Sequence, residues 1–223
     1  MADTVRVMVE RGNKKVVASA FDWLGWERSG QSEEDALQVL EHYRARYTKV
    51  AEIAGLARQF DAAREVEVVE RLDGTGTTDF HGISARSATA EYDEMSAAEC
   101  ERKIALLRAS WVYFDDVAAR VSAQLRKGPR GGGRDRDQIV RHTLGVEARE
   151  FAVKIGVITP LDAVQTPDGL CAHREAYCEA IRDYNRRGLP ARTWTLQFLL
   201  RRSAYHMLDH AWELQDKDRS PAA

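Results

Sequence analysis

"RRSAYHMLDHAWELQDK", residues 201–217, decides how the second half of this chain is read. Leu196, Leu199, Ser203, His206, His210 and Leu214 step by three and four, the spacing that puts side chains on one face of an α-helix. Mostly apolar, that face belongs against other helices, and it carries two histidines inward with it. Three further helices are expected ahead of it. Ser96-Ala-Ala-Glu99 is a capping-box sequence opening a helix with apolar positions at Ile104, Leu107, Trp111, Phe114, Ala118, Val121 and Leu125. A second helix is expected from about Asp137 to Ile155, and a third over about 171–187. The fourth runs from near Thr193 to about Asp216. Short loops between four such helices make a four-helix bundle. "KGPRGGGRDRD" (127–137) reads as a solvated connection. No strand precedes its glycines and no Gly-Lys-Ser/Thr follows, so it is no phosphate loop.

The first 82 residues read differently. "TVRVMVER" alternates at Val5, Val7 and Val9, a turn at "GNK" follows, and "KVVASAF" returns as a second strand. Ser32 caps a helix whose first turn holds Glu33, Glu34 and Asp35, with apolar positions continuing from Ala36 to Val50 and a stop at Gly55. "REVEVVERLDG" is a further strand. The fold class expected is therefore α+β: a ββαβ-type module over 1–82 followed by a helical bundle over 83–223.

Chemistry concentrates in the bundle. His206 and His210 share a face at roughly 6 Å, close enough for two imidazoles to hold one ion. On the second helix Ile139, His142, Val146 and Val153 form a stripe, so His142 also points inward. Three buried imidazoles without partners would cost about 1–3 kcal/mol each, and a metal ion satisfies all three together. Two separately hydrogen-bonded histidines are the alternative. Glu213 follows His210 by three residues and Asp209 follows His206 by three, so either can reach the rim of such a site as a base or as a support for an imidazole N–H. Both also fit a solvated helix surface. Trp111, Phe114 and Trp212 suit the core, Arg201 and Arg202 a solvated face, and His42, His81 and His173 solvated or capping positions.

"DQIVRHTLGVEAREFAV", followed some 60 residues later by "YHMLDHAWELQDK", resembles the DinB-like superfamily over about 96–217. The resemblance implies a four-helix bundle with His142, His206 and His210 as ligands to a divalent metal ion, zinc or nickel foremost, and an open position for water or substrate. It also implies activities such as thiol S-transfer with a low-molecular-weight thiol, or hydrolysis, on a small-molecule substrate that the residues do not specify, and pairing into homodimers. "KKVVASAFDWLGWERSGQSEEDALQVL" is similar to HicB-like modules over about 1–55, departing at Leu24 where those modules carry proline. The alternative function is a non-catalytic protein that binds a partner or senses a small ligand.

Bulk properties narrow the classes. Lys plus Arg (33) nearly cancels Asp plus Glu (35), a net charge of -2 with no basic stripe, which argues against nucleic-acid binding. Hydrophobic residues at 44% and charged residues at 30% are ordinary for a globular chain. No apolar run approaches the roughly 20 residues of a membrane span, and the N-terminus lacks the apolar core of a secretory signal. Three cysteines, Cys100, Cys171 and Cys178, are too few for a disulfide framework and fit a reducing cytoplasm.

Overall fold

The computed structural model describes residues 4–128 and 132–219. Strand β1 (Thr4–Arg11) turns tightly through Gly12, whose N–H donates to the Lys15 carbonyl, into the antiparallel strand β2 (Val16–Ala20). A strand the alternation rule passes over, β3 (Glu27–Gly30), adds antiparallel to β2. The last strand, β4 (Glu65–Asp73), lies parallel to β1, giving the order β3-β2-β1-β4. A parallel pair needs a crossover. It is supplied by α1 (Glu33–His42), α2 (Arg44–Ile53) and the short α3 (Ala57–Ala62).

The expected single helix from Ser32 to Gly55 is thus two. Ser32 caps α1 by accepting from the Asp35 N–H, as expected, but the helix breaks at Tyr43. Tyr43 lies against Trp212, and the chain restarts as α2 so that Tyr47 and Val50 can bury. Trp26 stacks on Tyr47 and donates from its indole to the Leu40 carbonyl, fastening the crossover to the sheet.

After α4 (Gly76–His81) and a short connector come the long helices α5 (Ala97–Arg120), α6 (Arg136–Val146), α7 (Pro167–Arg186) and α8 (Leu196–Lys217). Val121 and Leu125, placed on the first long helix by spacing, lie beyond the end of α5 yet are buried. The second long helix reaches Ile155, but not as one regular helix. A wide π turn over Glu147–Phe151 and a tight 3-10 turn over Ala152–Ile155 finish it, and Gly156 stops it in the left-handed region at φ 83. Of the 127–137 connection, residues 129–131 lie outside the described residues. Among the described residues the fold is therefore α+β, a four-stranded sheet with eight α-helices, and no helix is long and apolar enough to cross a membrane.

Sheet and helices share one core. A single apolar cluster runs from Val5, Val7 and Val9 of β1 through Leu40 and Tyr47 to Ile104, Leu107, Leu199 and Leu214. Gly25 marks a close approach to α8. Its φ is +85, and a Cβ there would stand 2.9 Å from the Ala204 backbone of α8. Only glycine fits that contact.

Beside it lies a buried polar network. Arg201 of α8, expected on a solvated face, is 1% exposed. Its guanidinium donates to both carboxylate oxygens of Glu91 at 2.8 and 3.0 Å, to Glu27 of β3 at 3.1 Å and to the Arg86 carbonyl at 2.8 Å. Burial works against the charge, but Glu91, Glu27 and Glu10 outweigh it and raise the pKa of Arg201. Removing one member of such a group strands the others. Arg201→Met should therefore lower the unfolding free energy by about 3–5 kcal/mol in urea denaturation. A loss under about 1 kcal/mol, the scale of a surface pair, would contradict this account.

Candidate metal centre

Helix α8 starts at Thr195, whose hydroxyl accepts from the Phe198 N–H, and its buried stripe of Leu199, Ser203 and Leu214 sets its rotation. That rotation turns His206 and His210 the same way. Helix α6 is fixed at its start by Asp135, which accepts from the Leu125 N–H and pairs with Lys127 at 2.7 Å. Ile139 and Val146 bury, and His142 between them faces α8.

The three imidazoles meet. Ring centroids are 5.3 Å apart for His142 and His206, 5.0 Å for His142 and His210, and 4.7 Å for His206 and His210. One ring nitrogen from each lies within 4.8 Å of those of the other two, so this group could hold a metal ion. Phe151, from the π turn, packs its ring at 5.6 Å from His206 and forms an apolar wall.

Electrostatics keep the rings ready as ligands. Burial first, then Arg134 and His210, lowers the pKa of His142 to about 4. His206 lies well below the ordinary histidine value, again chiefly through burial. Both rings are neutral at pH 7 and keep a lone pair. The His206 Nδ1 is buried without a hydrogen-bond partner. An orphaned nitrogen in that position is costly unless something binds it.

His210 is oriented by Glu213, whose Oε2 lies 2.8 Å from Nδ1. That contact, together with Lys217 on the other oxygen, pulls the Glu213 carboxyl down to about 2. An ionised carboxylate on Nδ1 selects the tautomer with its proton there and leaves the lone pair on Nε2. Asp209 is placed differently. It pairs with Arg28 at 2.8 Å, and Arg28 in turn stacks between Tyr43 and Trp212 at 3.9 and 4.1 Å. Asp209 thereby ties α8 to β3. Trp111, Phe114 and Trp212 are core residues. Positive charge surrounds the triad: Arg134 and Arg149 act on His142, Arg202 on His206, and among the described residues none of the three pairs with a carboxylate.

A second buried polar group went unread in the sequence. His173, expected to be solvated, is 2% exposed, with Nδ1 2.8 Å from the Thr159 hydroxyl and Nε2 3.7 Å from Glu147 Oε1. Glu147 accepts from the Trp111 indole. Glu147 follows the buried Ile139 and Thr143 at four-residue steps, so the same face of α6 carries it into the core. His42 and His81 are exposed, and Cys100, Cys171 and Cys178 are free, two buried and one exposed.

No protein-family model, curated protein or solved structure matches the chain.

Glu147 supplies a pH signature for this core. Burial outweighs Arg174 and the Trp111 indole and lifts its carboxyl from 4.5 to about 7. The folded state therefore holds a proton that the unfolded chain has released. Its contribution to stability is present below pH 4.5 and is lost as pH rises through about 7. A glutamine amide in its place stays neutral throughout. Relative to the natural protein, Glu147→Gln should gain stability from about pH 4.5 to 7, by on the order of 3 kcal/mol at full extent, then level off. Urea unfolding of both proteins across that range measures the difference, and a difference that does not change with pH would contradict the reading.

Proposed function

We propose that the protein is a DinB-like metal-dependent enzyme in which His142, His206 and His210 hold one divalent ion, zinc or nickel. The convergence of three imidazoles from α6 and α8, with one ring nitrogen of each within 4.8 Å of the others, is the observation that carries this reading. Three nitrogen ligands with a position left over are the ligand count of a catalytic site rather than a closed structural one. An ion held there supplies Lewis acidity, lowering the pKa of water or of a thiol.

The chain's own residues would do the rest. Glu213 fixes the ring of His210, and Phe151 excludes water from one side of His206. The unpaired arginines favour an anionic group at the open position, whether hydroxide, thiolate or the charged end of a substrate. Thiol S-transfer with a low-molecular-weight thiol and hydrolysis both fit that field. A scaffold with no metal would leave the desolvation of the buried His206 Nδ1 without compensation, which is why the non-catalytic reading is the weaker one.

Protein produced in medium supplemented with zinc or nickel should carry about one equivalent of metal, read by plasma emission. The His206→Ala, His210→Ala double variant should lose it, while Glu213→Gln should bind 10–100-fold more weakly, by roughly the amount expected for a lost orienting partner. Less than about a tenth of an equivalent in the natural protein, or full retention in the double variant, would sink the proposal.

A further inference from the structure

Where the sheet meets the helices, a cleft of about 860 Å³ opens, walled by Phe21, Trp23, Gln59 and Met95, with Lys103 of α5 among its lining. Lys103 is 2% exposed. Its Nζ donates to Gln197 Oε1 at 2.6 Å, and Gln197 is itself spent on the Asp93 and Ala90 carbonyls. The Glu99 carboxylate stands 4.0 Å away, beyond hydrogen-bond reach. An ammonium has three donors, and here one is satisfied. The cleft wall holds a further unpaired group, since Gln59 Oε1 is buried without a partner. The site is separate from the triad: Gln197 precedes His206 by nine residues on α8, about 13 Å along the axis.

A buried lysine beside a cavity, short of acceptors and close to a carboxylate, is the arrangement of a nucleophilic amine. We propose that this cleft is a second ligand site, in which Lys103 condenses with the carbonyl carbon of a small aldehyde or ketone. Nζ adds its lone pair to that carbon, the C=O π pair moves to oxygen, and a proton passes from nitrogen to oxygen. The carbinolamine then loses hydroxide, protonated to water, as the nitrogen pair closes the C=N bond. Nothing is oxidised or reduced. Glu99, 4.0 Å from Nζ, can carry the protons through one intervening water, and Phe21 and Trp23 give an apolar surface to the rest of the molecule. Burial, opposed by Glu99, Glu91 and Asp22, lowers the pKa of Lys103, which favours the neutral amine.

The test uses 2,4-pentanedione, a small diketone that condenses with amines to a stable, absorbing enaminone. The intact protein is treated at neutral pH, digested, and its lysines mapped by mass. Lys103 should be modified several-fold faster than exposed Lys14, since burial favours the neutral amine at Lys103. Lys103→Met should lose the fast phase of absorbance. Ala62→Trp, which narrows the cleft and leaves Lys103 in place, should slow it while the circular dichroism spectrum is unchanged. Lys103 unmodified in the natural protein, or modified no faster than Lys14, would overturn the proposal, and so would a fast phase that maps to another lysine.

Discussion

The ion pair of Arg201 with Glu27 and Glu91 is the contact on which the rest of the arrangement hangs. It joins α8 to the sheet and to the connector at once, across 174 and 110 residues of chain. Each carboxylate is also held from its own side. Glu27 accepts from the Ser19 hydroxyl and the Ser84 N–H, and Glu91 accepts from the Ala88 N–H. Glu10, beside them, accepts from the Ser84 hydroxyl and the Ala85 and Arg86 N–H groups. A satisfied network of this kind contributes more to fixing one arrangement than to raw stability, because any slip of α8 would strand buried charge. The apolar cluster alone would tolerate such a slip, since hydrophobic burial has no preferred direction.

That rigidity reaches the histidines. His206 lies five residues beyond Arg201 and His210 nine, along one helix whose backbone is also pressed by Gly25 and tied by Arg28 to Asp209. With α8 fixed in rotation, the triad needs only α6 to arrive at the right height. Asp135 sets where α6 begins, and Ile139 and Val146 set which face it buries. The geometry of the three histidines is thus set by contacts that involve no metal.

What could be read in the sequence follows from how local each signal is. The stripes of α5 and α8 and the alternation of β1 are repeated short-range patterns, so these elements and the inward direction of His142, His206 and His210 were legible. "ERSG" has no alternation, and β3 exists because Glu27 finds Arg201 and Arg28 finds Asp209, both far along the chain. The break at Tyr43 was hidden because apolar spacing continues across it, while its cause is a ring packed on distant Trp212. Arg201 reads as solvated for the same reason: a charged residue looks exposed until its partners are known. Glu147 and His173 read as solvated polar residues because the partners that let them bury, Trp111 and Thr159, lie 36 and 14 residues away along the chain.

In the proposed centre three imidazoles and one ion form a single site. X-ray absorption at the metal edge, on natural protein loaded with zinc, examines it directly. The account predicts a coordination shell with three imidazole nitrogens at about 2.0–2.1 Å and no sulfur. A shell containing sulfur from Cys100, Cys171 or Cys178, or one without imidazole scattering, would contradict it.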